Sequence, residues 1–282
     1  MKYNAPAKLN LSLQITGRRA DGYHLLNSIF VFTEFGDEIT ISPADAISLS
    51  YDGLFSALLE KEGENNLVIR AAKLLQTHSK TSLGAKIHLT KNIPIGAGLG
   101  GGSSDAATAL LALNHLWQLN YSIEVLSKLG VTLGADIPAC LYRRPIHVTG
   151  IGEIISPINL NEERAIVLIK PEATLSTPAV YRAYQESGKV FSTCEADYVR
   201  AGNDLQSIAI RLLPEIQIIL DALSAQTGCE FSRMTGSGPT CFGFFNTKAQ
   251  AINALEKLKK QFPSAWVQVT QLLTAADAHA GF

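Results

Sequence analysis

Pro94-Ile-Gly-Ala-Gly-Leu-Gly-Gly-Gly-Ser-Ser-Asp-Ala-Ala107 is the stretch on which the reading of this 282-residue chain turns. Five of the seven residues from Gly96 to Gly102 are glycine, which would weaken an ordinary helix or strand through entropy and missing side chains. Such a run makes sense where successive backbone N–H groups turn inward and a ligand comes close. An Ala- and Leu-rich segment from about Ser104 to Leu119 follows and predicts a helix, whose free N–H groups and dipole attract anions. Ser103 and Ser104 can cap that helix and donate to phosphate oxygens. Pro94, Ile95, Gly96, Ala97, Gly98, Leu99, Gly100, Gly101, Gly102, Ser103 and Ser104 are therefore candidate phosphate-binding residues.

Other phosphate motifs fit less well. No Lys follows a glycine of the loop, so GxxxxGK[ST] is absent. Gly96, Gly98 and Gly101 match the dinucleotide fingerprint, but that unit needs an acid at the end of a second strand about 20 residues on. The nearest candidate, Glu124, lies in Ser122-Ile-Glu-Val-Leu-Ser-Lys-Leu129, which reads as a helix. A second glycine loop, Thr235-Gly-Ser-Gly-Pro239, would alone be a hairpin turn; paired with the first it could close over the same phosphates.

Toward the N-terminus, Lys8–Thr16 alternates strictly, with Leu9, Leu11, Leu13 and Ile15 on one side and Lys8, Asn10, Ser12 and Gln14 on the other. A turn at Gly17–Gly22, a strand Leu25–Phe35, punctuation at Asp37 and short strands Glu38–Ser42 and Ile47–Tyr51 follow. Asn65 or Asn66 can cap a helix carrying Leu67, Ala71, Leu74 and Leu75, and Ala85–Thr90 is a strand. After the loop and its helix come a short helix from Ser122 to Gly130, a loop Gly134–Pro138 and a hairpin Ile146–Ile155. A soft boundary falls at Pro157–Glu163. Beyond it, strands at Ala165–Ile169, near Phe231, Cys241–Phe245 and Trp266–Leu272 alternate with helices from about Thr177, Asp204, Pro214 and Lys248, which predicts an open sheet with helices on one face.

Composition bounds the function. With 46% hydrophobic and 17% charged residues the chain can bury a sizeable core, and a net charge of −1 gives no basic field for a nucleic-acid backbone. Cys140, Cys194, Cys229 and Cys241 form no CxxC pair and read as buried reduced thiols; the six histidines show no zinc spacing. The first 15 residues read as a strand, not a signal peptide, and no run approaches the roughly 18 apolar residues of a membrane span. A soluble cytoplasmic protein with no nucleic-acid or membrane partner is the expectation, its oligomeric state left open.

Taken together, Ala5-Pro-Ala-Lys-Leu-Asn-Leu11, Arg19-Ala-Asp-Gly-Tyr-His24, Asn66-Leu67, the loop, Leu133-Gly-Ala-Asp-Ile-Pro138 and Met234-Thr-Gly-Ser-Gly238 resemble the GHMP kinase superfamily. The resemblance spans nearly the whole chain and is nearest to the branch that phosphorylates the 2-hydroxyl of 4-diphosphocytidyl-2-C-methyl-D-erythritol in the non-mevalonate isoprenoid pathway. Asp21-Gly-Tyr-His24 separates that branch from mevalonate and homoserine kinases, and retention of Lys8 and Asp136 argues against a catalytically silent relative.

The resemblance implies a two-domain α+β and α/β fold: an N-terminal β-rich domain, residues 1–155, with the phosphate loop, and a C-terminal ferredoxin-like domain, residues 156–282. It implies ATP and Mg²⁺ as cofactors and a cytidine-diphosphate-linked methylerythritol as the small-molecule substrate. Asp136 would be the base and Lys8 its charge partner; Asn66 and Lys91 would lie near adenine and ribose. Asn10 would touch the methylerythritol, Tyr23 and Tyr181 would sandwich the cytosine, and His24 would bond its edge. Thr177 would meet the diphosphate, with Gly236, Ser237 and Gly238 closing the substrate site. The loop has more glycines before its serine pair than the wider superfamily's Gly-Leu-Gly-Ser-Ser, and no acidic magnesium ligand is identifiable.

Overall fold

A computed structural model describes residues 1–60, 62–160 and 164–273. In its first half lie strands β1 (Lys2–Arg18), β2 (His24–Ala44) and β3 (Ser48–Asp52), then α1 (Leu67–Ser79), β4 (Gly84–Thr90), α2 (Gly101–Leu116), α3 (Ile123–Gly130), α4 (Ile137–Tyr142), β5 (Ile146–Gly150) and β6 (Ile154–Pro157). The second half contains β7 (Ala165–Lys170), α5 (Thr177–Glu186), α6 (Tyr198–Ala201), α7 (Gln206–Leu212), α8 (Glu215–Ser224), β8 (Cys229–Met234), β9 (Cys241–Phe245), α9 (Lys248–Gln261) and β10 (Trp266–Gln271). Of the boundary stretch Pro157–Glu163, residues 161–163 lie outside the described residues.

The first sheet runs β3-β4-β2-β5-β6, with β1 on the other edge of β2; all pairings are antiparallel except β3 with β4. The second runs β10-β7-β9-β8, wholly antiparallel, and its βαββαβ chain order gives the expected ferredoxin-like half. Strand alternation builds the layers. Phe30, Phe32, Ile39, Ile41 and Ile87 face α1 to α4, while Ala7, Leu9, Leu11 and Val31 face Ile166, Leu168, Phe242 and Phe244 of the second sheet. Val167 and Ile169 point the opposite way, into α5, α7, α8 and α9. Helices thus cover one face of the second sheet, and the first sheet covers the other. No helix among the described residues is long and apolar enough to cross a membrane.

Several local expectations change. β2 is continuous for 21 residues, and Asp37 does not break it. The carboxylate is fully buried and accepts from Lys91 Nζ and from the N–H groups of Asn92 (2.6 Å) and Ile93 (2.8 Å), which offsets its poor strand propensity. α2 begins at Gly101, because Gly100 adopts φ 66° and serves as the N-cap; Ser103 and Ser104 are therefore in the first turn, not at the cap. Gly134–Pro138 is not all loop: Ile137 and Pro138 open α4, whose first turn tolerates proline. Gln206, not Asp204, opens α7, and α6 was not expected. Cys140 and Cys241 are buried, but Cys194 is exposed and Cys229 half-buried.

Neither face of β1 is solvated: Lys8, Asn10, Ser12 and Gln14 are each under 5% exposed. Its free edge borrows partners from distant segments. Lys8 N–H donates to Leu99 O (2.8 Å) and Asn10 N–H to Thr235 Oγ1 (2.9 Å). Leu13 N–H donates to Gly202 O (2.9 Å), Ile15 N–H to Asp204 Oδ2 (2.7 Å), and Leu11 O accepts from buried Arg233.

The two glycine loops meet directly. A Cβ on Gly98, where φ is 75°, would stand 2.7 Å from Gly238 O, whereas one on Gly96 (φ 67°) would meet nothing within 4 Å. Gly98→Ala should therefore cost about 2–3 kcal/mol in urea unfolding and Gly96→Ala only about 1, the left-handed strain alone; equal effects would mean that the loops do not press together. Asp37→Ala leaves the buried N–H groups of Asn92 and Ile93 without an acceptor while Lys91 keeps Asp105, and a loss of about 2–4 kcal/mol is expected in the same measurement.

Candidate functional site

A cavity of about 530 Å³ opens over the first glycine loop. Residues 94–103 line it, with Leu59, Glu62, Asn65–Val68 and Arg70 on one side and Lys91 and Asp105 at the base. Asn66 caps α1: its Oδ1 accepts from Val68 N–H (2.9 Å) and its Nδ2 donates to Glu62 Oε2 (2.8 Å). Lys91 is in this wall, but its ammonium is turned into Asp37 and Asp105 and all three are buried, so it is not free beside a ribose.

A smaller cavity of about 180 Å³ shares Gly98 and Gly100 with the first. Lys8, Asn10, Leu13, Leu26, Phe30, Asp136, Thr177, Tyr181, Gly236 and Ser237 complete it. β1 supplies Lys8 from its helix-facing side, where the ammonium sits 4.4 Å over the Phe30 ring. Nζ is 3.2 Å from Asp136 Oδ2 and 3.0 Å from Asn10 Oδ1. The Asn10 amide is oriented by its other end, which donates to Ser28 Oγ (3.0 Å). Lys8 is thus a buried cation whose partner carboxylate, 43% exposed, faces the cavity.

Glycine matters twice at the junction. A Cβ on Gly100 would lie 3.2 Å from the Lys8 side chain, and one on Gly101 would lie 3.0 Å from Lys91 Nζ. The start of α2 therefore passes tightly between the Lys8 and Lys91 side chains, and its N–H groups add to the positive field of their ammonium groups.

Across the smaller cavity, Thr177 Oγ1 and Ser237 Oγ are 2.7 Å apart, so the first residue of α5 touches the second glycine loop. Asn203 ties that loop down by donating to Met234 O and Gly236 O. Tyr181 reaches the cavity from α5, and burial, followed by the Asp136 charge, pushes its hydroxyl pKa strongly up. His24 lies against it, ring centroids 5.3 Å apart and tilted, with Tyr184 edge-on at 5.7 Å. Burial and then Arg18 lower the His24 pKa, so the ring is neutral at pH 7. Tyr23 is 62% exposed, and the ring that faces Tyr181 is His24.

Lys8, Asn10, Asp136, Thr177, Tyr181, Gly236 and Ser237, scattered over some 230 positions, therefore meet in one cavity, with Gly238 packed behind Gly98. Sequence reasoning missed Ser28, Tyr184, Asp37 and Asp105. Asp105 was inside the quoted motif, where a carboxylate next to candidate phosphate ligands was a usable signal; the others carried none. Among the described residues no group of three or more His, Cys, Asp or Glu is placed to hold a metal ion. Chemically, a glycine-rich loop at a helix N-terminus, beside a second space of about 180 Å³ that holds an ammonium–carboxylate pair, suits transfer of a charged group to an alcohol.

Comparison with known proteins agrees. Residues 66–144 match the GHMP kinases N terminal domain and residues 193–264 the GHMP kinases C terminal domain. The chain is 39% identical to 4-diphosphocytidyl-2-C-methyl-D-erythritol kinase of Paramagnetospirillum magneticum, over 96% of this chain and 98% of the relative. It is 40% identical to the kinase of the same name from Rhizobium etli, over 96% and 94% respectively. A crystal structure of 4-(cytidine 5'-diphospho)-2C-methyl-D-erythritol kinase superposes with a TM-score of 0.82 at 34% identity, covering 96% of this chain and 99% of the other. With such relatives along its whole length and this site between its halves, the chain belongs to the GHMP kinases, in the 4-diphosphocytidyl-2-C-methyl-D-erythritol kinase family.

Proposed function

We propose that the chain transfers the γ-phosphoryl group of ATP to the 2-hydroxyl of 4-diphosphocytidyl-2-C-methyl-D-erythritol. The observation that carries this reading is the Lys8–Asp136 pair, 3.2 Å apart, in the smaller cavity beside Gly98 and Gly100, the residues that line both cavities. ATP would lie in the larger cavity with its base toward Asn65–Val68 and its phosphates on the N–H groups of Gly96–Ser104. The acceptor hydroxyl would enter between Asp136 and Gly100.

In this mechanism Asp136 accepts the hydroxyl proton as the acceptor oxygen attacks phosphorus, a contribution of about 10²–10⁴-fold. Lys8 holds the carboxylate in place and offsets charge on the transferring group. Positioning and electrostatics supply most of the remainder, because phosphoryl transfer leaves little covalent work to the protein. Mg²⁺ would come with ATP, and no group of three or more His, Cys, Asp or Glu among the described residues is placed to hold it independently. Bound with ATP, it would offset phosphate charge.

At the other end of the substrate, Thr177 and Ser237 would meet the diphosphate and Tyr181 would stack on cytosine. A neutral His24 can both donate and accept at the base edge. Tyr23, which is exposed, would complete the sandwich by swinging over the base. The division into domains 1–155 and 156–282 and a cytoplasmic location belong to the same reading; the two sheets support the former, with β6 running on to Pro157.

ADP release tests the function: with ATP and Mg²⁺, turnover should appear with the cytidyl-linked substrate and not with mevalonate or homoserine. Turnover on either rival alone would overturn the substrate. Asp136→Asn should lower kcat about 100-fold or more while ATP-analogue affinity stays near wild type; an unchanged kcat would remove Asp136 as the base.

A further inference from the structure

Asn203, on the short connection between α6 and α7, lines neither cavity, yet its side chain is fully engaged. Nδ2 donates both of its hydrogens, to Met234 O at 2.7 Å and to Gly236 O at 2.9 Å. Oδ1 accepts the N–H of Leu205 at 3.0 Å. Two donors and an acceptor on one planar group are what a side-chain amide offers. A flip would set Oδ1 against two carbonyl oxygens, so the partners fix its orientation.

What the amide holds is the acceptor side of the site. Gly236 and Ser237 line the smaller cavity. Gly236 adopts φ 56° and Gly238 φ 83°, and two glycines so close leave the backbone many other conformations to sample. Elsewhere the loop bonds within itself, Gly238 N–H to Thr235 O (3.0 Å), and to β1 at its first residue, where Thr235 Oγ1 accepts from Asn10 N–H. Its tip is held by Asn203 on one side and by the Thr177–Ser237 hydroxyl contact on the other. Asn203 is itself anchored: Leu13 N–H donates to Gly202 O (2.9 Å) and Asp204 N–H to Leu13 O (2.8 Å), a parallel bridge to β1. Asp204 also accepts from Ile15 N–H and from the Ser192 hydroxyl. The amide therefore ties the second glycine loop to the strand that carries Lys8 and Asn10.

We propose that Asn203 is a positioning residue for the acceptor: it keeps Gly236 and Ser237 in register with Lys8 and Asp136, and so sets the affinity for the substrate's diphosphate without touching it. The first glycine loop is fixed independently, by α2 and by Lys8 N–H donating to Leu99 O (2.8 Å). This inference rests on the proposed placement of the diphosphate at Thr177 and Ser237.

Steady-state kinetics of Asn203→Ala and Asn203→Asp with ATP, Mg²⁺ and the cytidyl-linked substrate test it. Asn203→Asp retains the acceptor for Leu205 N–H but turns a carboxylate oxygen toward two carbonyls, which separates the strap from the local turn. Both variants should raise the acceptor KM about tenfold or more and leave the ATP KM within about twofold of wild type. Ser237→Ala should raise the acceptor KM too, and adding Asn203→Ala to it should cost less than the product of the single effects, because both act through one loop. An unchanged acceptor KM in Asn203→Asp, equal rises in both KM values, or single effects that multiply would each overturn the proposal. Ser237→Ala with a wild-type acceptor KM would remove the diphosphate placement, and the inference with it, while the kinase reading stands. A wild type without turnover on this substrate would instead sink the functional reading itself. Should neither Asn203 variant fold, amide exchange in wild type decides: residues 203–205 and 234–238 should slow together on adding the acceptor, and slowing of 234–238 alone overturns the proposal.

Discussion

The free edge of β1 constrains everything else. A buried strand edge cannot leave its N–H and C=O groups unpaired, and β1 has a sheet partner on one side only. The missing partners come from the phosphate loop at Leu99, from the second glycine loop at Thr235, from Arg233, and from Gly202 and Asp204. Hydrogen bonding that any buried strand demands thus draws the two halves of the chain against the residues flanking Lys8 and Asn10. The site lies between the halves because the strand does.

Once β1 is fixed, the distribution of charge follows. The first turn of α2 runs between Lys8 and Lys91, and each ammonium is balanced differently. Lys8 has a single carboxylate, Asp136, 43% exposed and open to a ligand. Lys91 has two, both inside the fold, where they brace the entry and the first turn of the loop against β2. One lysine therefore faces a cavity and the other is enclosed, and small residues at 100 and 101 leave room for both near one backbone.

Much was legible before any coordinates. The glycine-rich stretch demanded a ligand because its composition is too costly for an ordinary turn. The order of strands and helices after residue 165 led to a helix-covered sheet because each element's periodicity is local. Lys8 and Asp136 became conspicuous only beside the family resemblance, since a lysine on a strand and an aspartate before a short helix are common alone. Asp37 misled: aspartate is a poor strand former, and only burial against Lys91 and two N–H groups explains why β2 runs through it.

By itself the sequence determined the local matters: which segments alternate, where glycine frees the backbone, and that a glycine-rich loop opens a helix. These depend on a residue and its near neighbours. Only the tertiary structure decided that Gly98 meets Gly238, that His24 lies on Tyr181, and that one oxygen of Asp105 is left over in a buried triad. Such contacts join residues tens to hundreds of positions apart, and they arise from packing and the exclusion of water, which no short window of sequence encodes.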